Sequence, residues 1–164
     1  MAFSWIIEKI LSPVIVTSKL AVAHQQVPGI GVGAAYATGD AFGTTFVIPS
    51  QDEGTITKVI FHDLDNEGLR KELWLFSRPF TETADNAAFA PTDPENLYCV
   101  GVISVSTFYT ASLNQLGLAL PALDYIAPQK KLYGQWVTRG ADNIAAGSIP
   151  EFTVTSVYCF KTLT

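Results

Sequence analysis

Residues 29–43 read GIGVGAAYATGDAFG, five glycines in fifteen positions, and the fold turns on what those glycines do. From Gly29 the stretch scans as G-x-G-x-x-A, the form of a turn that cradles a pyrophosphate at the N-terminus of the next helix. Asp52 and Glu53 stand at about the 20-residue distance from which a carboxylate holds the ribose. The helix is what is missing. Only ten residues separate Gly33 from the apolar run Thr44–Ile48, among them Gly39, Asp40 and Gly43, too short and too flexible for a crossover helix. Pro28, just before the stretch, lacks the ladder donor of a buried strand. The glycines are therefore read as turn formers: Gly39 supplies a positive φ before Asp40, and Gly43 opens a strand.

Outward from there the period is two. Val14–Ala23 alternates enough for a strand. In 55–62, Thr55, Thr57, Val59 and Phe61 line one face while Ile56, Lys58, Ile60 and His62 line the other. Leu73–Phe76 is a short apolar strand, 97–107 reads as one long strand, and Lys131–Thr138 and Phe152–Phe160 follow. The connection 79–96 is expected to hold one helical turn at Asp85–Phe89, ended by Pro91. The stretch 115–128, with Leu116, Leu118, Leu120 and Leu123, is broken by Gly117, Pro121 and Pro128 and has no clear assignment. The sum is an all-β chain of about eight strands, an antiparallel β-sandwich or jelly roll. At its start, Phe3, Ile6, Ile7 and Ile10 have helical spacing between Ser4, a possible N-cap, and Pro13. Residues 1–33 are thus expected to be a short helix or arm, and 34–164 the β-sandwich domain.

At 164 residues the chain suits one domain that needs no metal or disulfide staple. Hydrophobic residues make up 48% and charged ones only 15%, so much of the surface must be neutral or covered by a partner. A net charge of −5, with no Lys/Arg run longer than Arg70-Lys71 or Lys130-Lys131, argues against nucleic acid. Asn114, Gln115 and Pro121 interrupt the uncharged stretch between Glu95 and Asp124, which argues against a membrane span. Glu8 and Lys9 fall where a signal peptide would need apolar residues, so synthesis in the cytoplasm is expected.

Chemistry is sparse in the pattern. Cys99, which in a strand shares a face with Leu97, Ile103 and Val105, and Cys159 lack metal-site spacing and read as buried thiols. His62-Asp63-Leu64-Asp65-Asn66-Glu67-Gly68 resembles the opening of a calcium loop, but Trp74 stands where the bidentate Glu belongs, so a hairpin loop is expected there. His24 and His62 are the only histidines, and no G-x-S-x-G elbow accompanies them. No catalytic residue, cofactor or metal is assigned. Trp74 and Trp136 are read as core aromatics, although an exposed aromatic platform on a sandwich could stack on sugar rings.

Three stretches together, Tyr36–Gly43, Leu73–Phe76 followed by Thr83–Ala90, and Leu132–Gly140, resemble a family of small structural proteins of tailed bacteriophages. The resemblance spans roughly residues 34–162 and implies a virion component without catalytic activity, an auxiliary protein that decorates or cements the capsid lattice. The partners it implies are the major capsid protein and other copies of the chain, with a homotrimer favoured at local three-fold positions, and the location is the capsid surface. A glycan- or receptor-binding module on tail or capsid is the alternative. The apolar N-terminus supplies the candidate interface: Phe3, Trp5, Ile6, Ile7, Ile10 and Leu11 as anchors in a partner's groove.

Overall fold

Alternating apolar residues become strands almost throughout the computed structural model, which describes residues 14–33 and 35–163. In chain order they are β1 (Val14–Gln26), β2 (Ala41–Pro49), β3 (Glu53–Asp63), β4 (Lys71–Phe76), β5 (Cys99–Val105), β6 (Thr107–Thr110), β7 (Gln115–Ala119), β8 (Leu123–Ile126), β9 (Lys131–Thr138) and β10 (Glu151–Leu163). A single helical turn, α1 (Asp93–Asn96), precedes β5. The larger sheet runs β1-β10-β3-β7-β6, with β8 also paired to β3, and the smaller runs β2-β9-β4-β5. Every pairing is antiparallel. The chain is an all-β sandwich, and β1 to β4 alternate between its two sheets.

Aromatic rings fill the space between the layers. Phe46 meets Phe152 at 4.6 Å between centroids, and Trp136 lies edge-on to Phe61 at 5.0 Å and to Phe152 at 5.4 Å. Phe42, Phe61, Trp136 and Phe152 are buried, each contributing roughly 2–3 kcal/mol by burial alone.

Several expectations change on folding. The long strand 97–107 divides at Ser106: β5 pairs with β4 in the smaller sheet and β6 with β7 in the larger. The chain turns a corner between layers there, which alternation along one strand cannot reveal. The vague stretch 115–128 holds two strands, β7 and β8, so the count is ten rather than about eight. The turn at 85–89 is not helical; Asn86 takes a φ of 59°. The helical turn forms at α1 instead, where Pro94 fits the first turn and Glu95 accepts from the Thr92 N–H at 2.8 Å. Residues 64–70 are not a hairpin loop, because β3 and β4 belong to different sheets.

On β3 the alternation slips. Lys58 pairs with Thr155 and Ile56 with Ser156, leaving Thr57 as the extra residue of a bulge. Ile56 therefore shares the core face with Val59 and Phe61, not the face with Ile60 and His62. At the other end, β1 lies within the segment read as an arm. It pairs with β10 along its length and Val27 beyond it is buried, so the sandwich takes in residues well before position 34.

Candidate functional site

The glycine stretch does cradle an anion, and the anion is the chain's own Asp85. One carboxylate oxygen accepts from the Gly31 N–H at 2.7 Å, the other from the Gly43 N–H at 2.6 Å, and the Tyr36 hydroxyl donates to both at 2.8 and 2.9 Å. Gly43 has a φ of 78°, and a Cβ there would lie 2.4 Å from the Pro28 carbonyl oxygen, so only glycine fits. Burial, then the Asp85 carboxylate, push the Tyr36 hydroxyl well above the usual tyrosine range. With its N–H groups bonded to an internal carboxylate, the loop has no room for a nucleotide.

This contact fastens residues 77–92 across the outer face of the smaller sheet. Gln135, 0% exposed, donates to the Thr83 and Gly43 carbonyls at 2.6 and 2.9 Å and accepts from the Thr83 N–H. Glu82 accepts from the N–H and hydroxyl of Thr45. Phe80 packs on Phe76, and Phe89 on Trp74. Trp74 is therefore half-buried under a loop rather than part of the core, while Trp136 is core. Beside it, Glu72 binds Arg70 at 2.7 Å and Arg139 at 2.6 Å. Burial acts to raise the Glu72 carboxyl, but Arg139, Trp74 and Arg70 together hold it below the ordinary carboxylate range.

The calcium-like turn is also spent on backbone. Asp63 accepts from the Asp65 and Gly68 N–H groups at 3.0 and 2.6 Å, Asp65 from Ala145 at 2.8 Å, and Glu67 from Asn143 at 3.0 Å with both oxygens. The carboxylates thus tie this turn to the β9–β10 connection. Among the described residues no cluster of His, Cys, Asp and Glu could hold a metal ion. Cys99 is a partly buried free thiol that burial pushes up, and Leu97, expected on its buried face, is 82% exposed. The side chain of Cys159 lies outside the described ones.

His24 and His62 meet on the outer face of the larger sheet, edge to face at 5.7 Å. His24 Nδ1 is 3.0 Å from the Thr153 hydroxyl and Nε2 3.2 Å from Glu151. Hydroxyl, imidazole and carboxylate stand in a row, the order of an activated nucleophile. Thr153, however, lies on β10, which is paired with β1 on one side and β3 on the other, so the backbone N–H groups beside its hydroxyl belong to the ladders. Burial, then His24, hold the His62 imidazole below the ordinary histidine range.

Much of the rest of that face is apolar, with Lys58, Thr155 and Thr107 sharing it. Register places Leu20 and Val22 of β1, Ile60 of β3, Leu116 and Leu118 of β7 and Tyr109 of β6 on one side of the sheet. Leu20, Val22 and Tyr109 are about 60% exposed, and Leu116 is 41% exposed. A second apolar zone lies at β8, where two surface depressions of about 350 and 340 Å³ flank Tyr125 and Ile126. Leu97, Leu120 and Ile126, near that end, are each at least 70% exposed. The anchors expected from the sequence, Phe3, Trp5, Ile6, Ile7, Ile10 and Leu11, lie outside the described residues. The sheet face escaped the sequence because β7 could not be placed; once Leu116 and Leu118 are on a strand, their shared parity puts them beside Tyr109.

Comparison with models of protein families, with curated proteins and with solved structures finds no match for this chain.

Proposed function

We propose that the chain is a structural virion protein of a tailed bacteriophage, a decoration or cement protein that binds the major capsid lattice from outside and stabilises it. The observation that carries this reading is the outer face of the larger sheet, exposed among the described residues and bearing Leu20, Val22, Ile60, Leu116 and Tyr109. A protein this poor in charge that leaves aliphatic side chains in water is suited to burial against another protein. The resemblance in Tyr36–Gly43, in Leu73–Phe76 with Thr83–Ala90, and in Leu132–Gly140 supplies the kind of partner. The alternation of strands between sheets supports the jelly-roll reading, an architecture that capsid and lectin domains share.

Of those two, the surface favours protein docking. Its exposed large side chains are mostly aliphatic, with Tyr98 and Tyr109 the exposed aromatics among the described residues, whereas sugar stacking calls for flat aromatic platforms. Trimers at three-fold positions of the shell are the assembly proposed, with the apolar N-terminus, Phe3 to Leu11, reaching a neighbour.

The test adds purified protein to capsids that lack it and measures occupancy and heat resistance. Wild type should bind and raise the temperature at which the shell opens, since a ligand of the assembled shell alone stabilises it by mass action. Val22→Asp with Leu116→Asp should weaken binding about tenfold or more, and deletion of residues 2–12 should reduce it separately. Undiminished occupancy in both variants overturns the reading.

A further inference from the structure

Between the sheets, at the start of β4, Lys71 is 1% exposed. Its Nζ lies 2.6 Å from Asp142 Oδ1 and donates to the Leu69 carbonyl at 2.8 Å. Asp142, in the β9–β10 connection, is equally buried. The rings of Phe42 and Phe61 close over Nζ at 5.0 and 5.5 Å. The Thr138 hydroxyl donates to Asp142 Oδ2, and the Glu67 carboxyl, whose two oxygens accept from the N–H of Asn143 at 3.0 Å, is held beside Asp142 by that next residue in the chain. A lone buried ion pair gains little for the fold, because desolvation offsets most of its attraction. This one, though, has every part that amide formation needs: an amine in contact with a carboxyl, a donor on the oxygen that will take up charge, a further carboxyl to move protons, and surroundings that keep water out.

We propose that Lys71 and Asp142 become joined by an intramolecular isopeptide bond, with Glu67 as the proton-transferring catalytic residue. A proton first passes from Nζ to Oδ1, turning ammonium and carboxylate into amine and acid with no change in proton count. The Nζ lone pair attacks Cγ and forms the C–N bond, while the carbonyl electrons move to Oδ2, held by Thr138. Glu67, in its acid form, protonates the Oδ1 hydroxyl, which leaves as water as the C=O re-forms. The Glu67 carboxylate then takes the surplus proton from nitrogen and is an acid again. The balance is one C–N bond made, one C–O bond broken and one water released, with no oxidant or outside reagent.

The surroundings of Glu67 fit that part. Burial, then the charges of Asp142 and Asp65, raise its carboxyl above the ordinary range against the opposing Asn143 N–H, so it takes up a proton more readily than an ordinary carboxyl does. The product exchanges a buried ion pair for a neutral amide. It closes a covalent loop between positions 71 residues apart and ties the smaller sheet to the segment that crosses into the larger one.

Intact mass spectrometry of the denatured full-length chain, kept for several days at neutral pH, tests this directly. The expected mass is that of the sequence less one water, and proteolysis should give a branched peptide containing Lys71 and Asp142. Glu67→Gln should stay at the mass of its sequence while retaining a β-rich circular dichroism spectrum. Lys71→Met should do the same and melt at a lower temperature than wild type. Wild type at full sequence mass, or a water lost at any other position, overturns the bond. Linkage in Glu67→Gln as complete as in wild type overturns the role of Glu67.

Discussion

Gln135 and Val22 both point away from the space between the sheets, yet Gln135 is 0% and Val22 60% exposed. The difference lies in what the chain lays over each strand. Across the smaller sheet, residues 77–92 bring Phe80, Thr83, Asp85 and Phe89 down onto Phe76, Gln135, Gly43 and Trp74. No described segment crosses the outer face of the larger sheet in the same way, and that face keeps Leu20, Val22 and Leu116 in water. Among the described residues the sandwich thus has a finished side and an unfinished side. A side chain on the first is part of the fold, and one on the second is free to serve another molecule.

The strongest break in that contrast should come from Gln135→Ala. It strands the Gly43 and Thr83 carbonyls and the Thr83 N–H under the loop, at a cost of about 3 kcal/mol in urea unfolding. Amide exchange in residues 77–92 should quicken as well. A loss below about 1 kcal/mol would mean that the loop is held by its aromatic contacts instead.

Glu72, on the same side, comes next. Its carboxyl sits below the reference 4.5, so the folded state binds fewer protons there than the unfolded one. Its contribution is complete above that reference and fades as pH falls through the lower folded value. Glu72→Gln should cost about 1–2 kcal/mol at pH 7 and flatten the acid limb of the stability curve below about pH 4.5. Glu95, held down to about 2 chiefly by its hydrogen bond from Thr92, fades lower still. The variant to examine is therefore Glu72→Gln at mild acidity, where Glu95 is still ionised.

The open side should titrate nearer neutrality and more weakly. His62 is held below its reference 6.5, so it favours the fold above that value and ceases to as pH falls through the folded one. His62→Gln should remove a loss of under about 1 kcal/mol between roughly pH 7 and 5. A loss that persists unchanged in the variant would show that His62 is not its source.

The contrast also marks how far the sequence can be read. Lys131–Thr138 matched β9 because its parity holds: Leu132 and Trp136 both face the core, and the pairing with β4 runs without a slip. The corner at Ser106 and the bulge at Thr57 break parity through pairing, which local pattern does not encode. Leu97 differs because β5 begins only at Cys99: Leu97 is the C-cap of α1, with helical backbone, so strand parity does not reach it. At the buried pair the signal was half present. Lys71 shares the parity of Leu73 and Leu75 and so had to face inward, but nothing in the turn-rich stretch 139–150 singles out Asp142 as its partner. Asp85 was legible only as a turn residue, since its ligands at Gly31 and Gly43 are brought to it by tertiary contact.

The smallest effect on stability bears most directly on the open face. Val22→Ser and Leu116→Ser remove apolar atoms that already touch water, 60% and 41% exposed, so unfolding free energy should move by no more than about 0.5 kcal/mol. If the face has a partner, the same pair of changes should lower self-association in sedimentation, or capsid occupancy, while the melting curve stays in place. A stability loss above about 2 kcal/mol would instead show that these side chains are buried within the isolated chain. The face would then be finished like its opposite, and the contact with another protein would have to be sought at Leu97, Leu120 and Ile126.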